Sequence, residues 1–356
     1  MSDFSKTLAE WRHQLHTHPE TAFEEVQTAA FVADKLKEMG VEVFTGIGGT
    51  GVIGRLKVGD GGKTVAIRAD MDAINLKEEG NPPYKSECEG KMHGCGHDGH
   101  TTTVLGAAKL LSESRDFNGT AIFLFQPAEE PGKGAHAMLN DGLLEKFPID
   151  EIYGQHNNPG MRAGTVNICK GGFASCEDNF KIEIHGRGGH ASAPEKTIDP
   201  LVIASQVILA LQTIPSRSAA AFEPVVVSCT ELFIETRMHD IVDGICKANG
   251  ATYDFLYTHE FAPTVNWDEQ VDAVIQAASH VVGAENVDGN CAPFMASEDF
   301  GAFLEKIPGA FFFLGGAVGD ATKDFPLHNA HFNYNDDILE TGAKVFAQLI
   351  HERLPK

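Results

Sequence analysis

The sequence has no long apolar run, no basic excess and no paired cysteines, and each absence excludes a class of protein. No stretch reaches the length of about 18 apolar residues that a membrane-spanning helix needs. The formal net charge of −22 leaves no basic surface for a phosphate backbone, so nucleic acid is not expected as a partner. Charged side chains recur throughout the first 25 residues, which predicts that this segment is not a signal peptide.

The cysteine count and the length of the chain further limit the classes of protein to which the sequence can belong. Seven cysteines are an odd number in a chain of 356 residues, so thiols in a reducing compartment, and a cytoplasmic location, are expected rather than a disulfide framework. Apolar content of 42% and charged content of 22% are ordinary for a globular protein. The length exceeds that of a typical single core, which predicts two domains.

Four apolar runs read as buried strands, and each leads to acidic or histidine residues. The runs cover residues 64–70, 120–125, 151–156 and 310–314. They lead to Asp70, to the pair Glu129 and Glu130, to His156 and, after a longer loop, to His328. Continuous apolar runs are typical of parallel strands covered on both faces, and ligands bind outside the carboxyl ends of such strands. The pattern predicts a mostly parallel α/β sheet, with helices on both faces and a metal site at its carboxyl edge.

A smaller α+β domain is predicted inside the larger one. The sequence changes character near residue 178, and residues 179–185 alternate with period two, which is typical of a strand in a sheet open on one side. The predicted domains are therefore 1–177 together with 266–356, and an insert over 178–265. A ferredoxin-like β-α-β-β-α-β unit needs two strands before its second helix, so a hairpin is expected to be missing near 230–233.

The segment Cys95-Gly-His97 offers a thiolate and an imidazole two residues apart. Alone it is a weak signal, because a buried thiol beside a loop gives the same pattern. Its strength comes from Glu130, His156 and His328 at the ends of other strands. Five such ligands are more than one tetrahedral ion can bind. They suit two ions that share a bridging ligand, and a thiolate can bridge in this way.

Adjacent carboxylates point in different directions, so Glu130 is predicted as a metal ligand and Glu129 as a general base that takes a proton from water. Asp70 is predicted to orient an imidazole, that of His97, or alternatively to cap a loop. Asp98 is predicted to cap the helix that follows it.

Two further histidine segments have competing interpretations. His190 lies in the Gly-rich segment 186–192 of the insert, where it is either a surface residue or a donor to a developing oxyanion in a cleft. The cluster around His16 has the composition of a metal site, but Pro19 ends a helix there and favours a structural role.

Seven segments together resemble the M20 metallopeptidases, in particular their aminoacylase-like amidohydrolase branch of hippurate hydrolases, N-acyl-amino-acid deacylases and auxin-conjugate hydrolases. Arg68 stands where other M20 branches have a metal-binding histidine and Cys95 where they have a bridging aspartate, which favours this branch over the dipeptidases. The segments are residues 12–20, 68–73, 92–98, 126–130, 188–194, 297–300 and 327–329.

The resemblance implies two divalent ions (manganese, zinc, cobalt or nickel) bridged by Cys95, with Glu129 as the base and Asp70 as the orienting carboxylate. It also implies that His190 reaches a catalytic cleft from the inserted domain, which would act as a lid and as the site of homodimerisation. The remaining metal ligands implied are His97, Glu130, His156 and His328. Relatives carry additional segments between the positions of Thr230 and Phe233, in agreement with the missing hairpin.

The function expected is hydrolysis of the amide bond of small N-acyl amino acids, such as N-acetyl or N-benzoyl conjugates. Alternatives on the same scaffold are a dipeptidase and an N-acetyl-diaminopimelate deacetylase. A non-catalytic binding protein is the alternative from another class.

Overall fold

The computed structural model describes residues 2–218, 227–228, 231–232, 235–320 and 322–356. The chain divides into two compact units, a larger one of Met1–Ser175 with Pro263–Lys356 and a smaller one of Cys176–Ala262. These limits lie within three residues of the domain boundaries predicted from the sequence.

Strands and helices alternate along the larger unit. The described strands of the whole chain are β1 Glu42–Ile47, β2 Gly51–Val58, β3 Thr64–Asp70, β4 Gly119–Gln126, β5 Glu151–Arg162, β6 Val166–Asn167, β7 Gly171–Ala174, β8 Glu177–His185, β9 Val227–Ser228, β10 Glu231–Leu232, β11 Thr252–Phe261, β12 Thr264–Asn266, β13 Val287–Asp288 and β14 Gly309–Ala317. The described helices are α1 Asp3–Thr17, α2 Val26–Glu38, α3 His97–Ser114, α4 Gly134–Asn140, α5 Leu143–Lys146, α6 Pro200–Leu211, α7 Glu235–Ala248, α8 Asp268–Val282, α9 Gly301–Leu304 and α10 Leu339–Arg353.

An eight-stranded sheet forms the centre of the larger unit, in the order β1-β2-β4-β3-β5-β14-β6-β13. Its four central strands, β4, β3, β5 and β14, pair in parallel, while β1 and β2 add to one side in antiparallel pairs. The fold is therefore α/β with a mostly parallel centre, as the sequence predicted. Because the central strands run in one direction, their carboxyl ends meet at one edge.

Helices cover both faces of this sheet, since alternate residues of each strand enter different cores. Val65 and Ile67 of β3 pack in one core with residues of α1, α2, α3, α8 and α10. Ala66, between them, packs in a second core with residues of α4 and α9. Burial on both faces explains why these strands are continuous apolar runs instead of alternating ones.

The smaller unit is an α+β arrangement. Its strands β8 and β11 pair in antiparallel register, and α6 and α7 contribute Ile203, Val207 and Val242 to a separate core. Phe180 and Ile182 of β8 pack against that core, whereas the Lys181 between them is exposed. The hairpin expected to be missing near 230–233 falls partly outside the described residues. Nowhere in the described ranges does a helix combine the length and apolar character needed to cross a membrane.

Candidate metal centre

Four chain segments deliver metal-competent side chains to the carboxyl edge of the sheet. His156 lies in β5, and Glu130 follows the end of β4. His97 is the first residue of α3, and His328 lies in the loop after β14, where its backbone N–H donates to Gly94 O over 2.8 Å. His328 has a left-handed φ of 60°, an uncommon conformation for a non-glycine residue that is often found at functional sites.

Cys95 lies at the centre of the group. Its Sγ is 3.3 Å from His156 Nε2. The ligand atoms of Cys95, His97 and His156 lie within 4.8 Å of one another, and so do those of Cys95, Glu130 and His328. Cys95 is the member that these two triads share. The next residue, Gly96, has a φ of 96°, which lets the chain turn directly from the thiol into α3.

Two ligand atoms are buried without a hydrogen-bond partner in the described part of the chain, His97 Nε2 and Glu130 Oε1. His97 Nε2 lies 3.8 Å from carboxylate oxygens of Asp70, Glu129 and Glu130. Burial of a polar atom that faces acceptors without a hydrogen bond to them costs folding free energy, unless a cation lies between the atoms. The donor set of thiolate, imidazole and carboxylate therefore fits a divalent metal.

The imidazole rings are oriented from behind by backbone carbonyl groups. His97 Nδ1 is 2.8 Å from Asp72 O, and His156 Nδ1 is 2.8 Å from Asn157 O. With Nδ1–H donating to these carbonyls, each Nε2 is left as the acceptor that faces the ligand group.

The carboxylates of the site differ in their electrostatic surroundings. Burial, followed by the charge of Glu298, raises the pKa of Glu129 well above its ordinary value. Burial also acts on Glu130, but the hydrogen bond with His328 and the charge of His97 outweigh it and lower the pKa of that carboxyl. Burial and then the charge of Glu130 raise the pKa of the Cys95 thiol to about 12. A bound cation favours the thiolate, as it does in other metal sites.

Asp70 contacts other groups more closely than His97. Its Oδ1 is 2.7 Å from His100 Nδ1, whereas its Oδ2 is 3.8 Å from His97 Nε2. The carbonyl oxygen of Asp72, for which the sequence suggested no role, lies at the Nδ1 atom of His97. The orienting role of Asp70 stays a prediction.

The prediction that Asp98 caps α3 is wrong. The N-cap position of this helix is Gly96. Asp98 instead accepts from Arg12 Nη1 over 3.0 Å and lies 2.8 Å from His16 Nδ1, and all three side chains are buried. An ion pair between residues 86 positions apart leaves no trace in local spacing. The same contacts account for the histidine cluster near the N-terminus, where His16 also lies 3.3 Å from Glu78.

A fully buried guanidinium lies behind the site, which sequence reasoning did not anticipate. Arg68 Nη1 donates to Asp70 over 2.7 Å, and Nη2 donates to Glu298 over 3.0 Å and to Asp299 over 3.1 Å. Gln126 accepts from Arg68 Nε and donates to Asp299. Arg68 thus supplies the cation among the carboxylates that surround the base predicted from the sequence.

His190 belongs to the smaller unit, where its side chain is exposed. Its Nδ1 is 2.7 Å from Ser192 Oγ. Its role toward a substrate stays a prediction.

An apolar cleft of about 800 Å³ lies in the larger unit next to two of the ligands. It includes Asn157, which follows His156, and Leu327, which precedes His328. The aromatic residues of its lining are Phe294, Phe313 and Phe325. Clefts of this volume and character are typical of small-molecule sites.

Comparison with protein families finds a match over most of the chain. The model of peptidase family M20/M25/M40 matches residues 66–352, which include every candidate ligand described above. This chain belongs to that family. Membership of this family and the candidate ligand groups support the binding of divalent metals.

Relatives in the M20 family share nearly the full length of the chain. It is 42% identical to a hippurate hydrolase of Campylobacter jejuni, over 95% of this chain and 94% of that protein. It is 33% identical to an N-acetylcysteine deacetylase of Bacillus subtilis, over 97% and 96%. A solved Bacillus subtilis structure, described as a dinuclear metal binding peptidase of the M20 family, is 29% identical with a TM-score of 0.80 and covers 99% of both chains. The M20 chain described here is thus a metal-dependent hydrolase of amide-type C–N bonds.

Proposed function

We propose that this protein hydrolyses N-acyl amino acids, with a preference for aromatic acyl groups such as benzoyl. The observation that carries the proposal is the convergence of five candidate ligand side chains beside the carboxylate of Glu129, at the edge of an apolar cleft. The similarity to a hippurate hydrolase and to an N-acetylcysteine deacetylase supports N-acyl amino acids as the substrate class. The aromatic lining of the cleft supports the benzoyl group over the acetyl group.

Two ions per subunit are proposed, held by the two triads that share Cys95. One triad would consist of Cys95, His97 and His156, and the other of Cys95, Glu130 and His328. When bound, such ions lower the pKa of a water molecule and polarise a carbonyl oxygen. Mn²⁺, Zn²⁺, Co²⁺ and Ni²⁺ all suit this donor set, so a metal series belongs in every assay.

Glu129 is proposed as the proton carrier of the reaction. It is buried and has a raised pKa, so its carboxylate holds a proton more readily than an ordinary glutamate. We expect it to take the proton of the attacking water and to pass it to the leaving amide nitrogen. Asp70 is proposed to orient the ligand set, and His190 to donate a hydrogen bond to the carbonyl oxygen as negative charge develops there.

The test is a substrate panel with the full-length protein, loaded separately with each metal. The panel contains N-benzoylglycine, N-acetyl amino acids, N-acetyl-diaminopimelate and dipeptides. The highest kcat/KM is expected for N-benzoylglycine. Glu129→Gln should lower kcat by about 10²–10⁴-fold, the usual contribution of a general acid–base, while the bound metal measured by atomic absorption stays unchanged. Turnover by Glu129→Gln at the wild-type rate would refute the assignment, and a preference for dipeptides would favour the dipeptidase alternative.

The smaller unit is proposed to mediate homodimerisation. Four large apolar side chains of α6 are exposed, and their spacing places them along one side of the helix. Such an apolar stripe is typical of an association surface, and a second copy of the chain is the occupant proposed. The residues are Leu201, Val202, Ile208 and Leu209. Leu209→Glu should shift the mass measured by light scattering from dimer to monomer.

The cytoplasmic location stays a prediction that rests on the cysteine count.

A further inference from the structure

Three consecutive backbone N–H groups, those of residues 128–130, are bound by two carboxylates from distant parts of the chain. Ala128 N donates to Glu25 Oε1 over 2.9 Å. Glu129 N donates to Asp72 Oδ1 over 3.0 Å, and Glu130 N donates to Asp72 Oδ2 over 3.1 Å. Residues 126–130 are called the 126–130 turn below. Side chains from outside this turn therefore fix the direction of three of its peptide groups.

The backbone of this turn needs such support. Ala128 has a φ of 49°, in the left-handed region that L-residues other than glycine occupy at a cost in free energy. It is followed directly by Glu129 and Glu130, whose side chains must point in different directions. A return of Ala128 to negative φ would rotate both carboxylates away from the positions described above.

The burial and the hydrogen bonds of Glu25 suit its contact with Ala128. Its side chain is completely buried, and it precedes α2 in a part of the chain that carries no metal ligand. Its Oε1 also accepts from Phe23 N over 3.0 Å, and its Oε2 accepts from the hydroxyl of Thr50. All the hydrogen-bond partners of this carboxylate are neutral donors, so an uncharged side chain of the same shape can replace it.

We propose that Glu25 and Asp72 are positioning residues that hold the 126–130 turn so that Glu129 faces the reacting water. The inference rests on the proposed role of Glu129 as the proton carrier. Asp72 also orients His97 through its carbonyl oxygen, so substitutions there affect a metal ligand as well. Apart from Ala128 of the turn, the described hydrogen-bond partners of the Glu25 side chain are Phe23 and Thr50, neither of which is a candidate metal ligand, which makes Glu25 the cleaner test of positioning.

The experiment compares Glu25→Ala, Glu25→Gln and a matched control, Glu20→Ala. Glu20 is likewise a carboxylate that accepts two backbone N–H groups, those of Gln27 and Thr28, but it holds the start of α2 and not the 126–130 turn. Glutamine at position 25 keeps the acceptor for Ala128, and its amide group can donate to Thr50. Glu25→Asp, one methylene shorter, is the second variant if Glu25→Ala does not fold.

We expect Glu25→Ala, or Glu25→Asp, to lower kcat by about 10–100-fold, since a displacement of about 1 Å can cost 10²-fold. In assays at saturating metal, which offset any loss of metal affinity through movement of Glu130, KM and metal content should stay within about twofold of wild type, and Glu25→Gln should restore most of kcat. Glu20→Ala should lose stability without losing kcat. Wild-type kcat in Glu25→Ala, or equal losses in Glu25→Ala and Glu25→Gln, would overturn the proposal.

Hydrogen–deuterium exchange separates this inference from the proposed function. In metal-loaded Glu25→Ala, the peptide that covers residues 126–130 should exchange at least about tenfold faster than in wild type, with no change in the peptide of β3. This readout does not depend on any substrate. Unchanged exchange would refute the positioning role, whereas an inactive wild type with the expected exchange pattern would refute only the proposed function.

Discussion

Replacing Arg68 with methionine should destabilise the larger unit by about 3–5 kcal/mol, the usual cost of removing one partner from a buried ion pair. The guanidinium is completely buried and is the cation between Asp70, Glu298 and Asp299. Methionine fills much of the same volume. The loss of stability should therefore come from three buried carboxylates without their cationic partner more than from a cavity.

The measurement is urea unfolding in the presence of a chelator, so that metal binding does not contribute. The two tryptophans of the chain, Trp11 and Trp267, both lie in the larger unit, so their fluorescence reports on its unfolding alone. The control is Arg55→Met, which removes a partly exposed ion pair with Glu42 and should cost less than about 1 kcal/mol.

The pH dependence gives a second check on the same variant. Burial already raises the pKa of Glu298 and raises that of Asp299 to about 7 in the folded state, whereas the pKa of Asp70 is lowered. Loss of the guanidinium should raise all three. Groups with raised folded pKa values destabilise at high pH, and the penalty is relieved as they protonate. The deficit relative to wild type should therefore shrink as the pH falls from about 8 to 5. If the variant loses less than about 1 kcal/mol of unfolding free energy, or if the loss does not depend on pH, then Arg68 does not offset the charges of these carboxylates.

Three further outcomes are expected. Addition of Mn²⁺ at about 100 times its Kd should stabilise the wild type by about 2.7 kcal/mol, and Cys95→Ala should abolish most of this shift in a thermal melt. Burial lowers the pKa of His16, but its bonds with Asp98 and Glu78 and the charge of Asp98 together outweigh burial and raise it. The cost of His16→Gln should therefore be greatest below about pH 6.5 and should fall as the pH rises through the raised pKa. Gly154→Ala should cost about 1–3 kcal/mol in urea unfolding, because a Cβ there would lie 2.5 Å from Phe311 Cδ2, and a cost near zero would show that the ring can move.

The central sheet could be predicted from the sequence because burial on both faces leaves a strong local pattern. The predicted run 64–70 is β3 itself, and the runs 120–125 and 310–314 lie inside β4 and β14. The convergence of the ligands follows from this, since parallel strands carry their ends to one edge. Period-two alternation likewise located β8, a strand of the inserted unit.

The supports of the site could not be predicted in the same way. Arg68 is paired with Glu298 and Asp299, which lie 230 and 231 positions further along the chain. Glu25 meets the 126–130 turn across 103 positions. Such contacts depend on the tertiary arrangement, and a carboxylate that holds a backbone amide has the same local sequence as one that faces solvent.

The place of β14 in the sheet has a consequence for synthesis on the ribosome. This strand bonds to β5 on one side and to β6 on the other, yet the whole of the smaller unit is translated before it. At roughly 5–20 residues per second, the roughly 150 residues between β5 and β14 take about 7–30 s to make. During that interval the nascent chain presents the apolar edge of β5 unpaired, which is a natural target for chaperones.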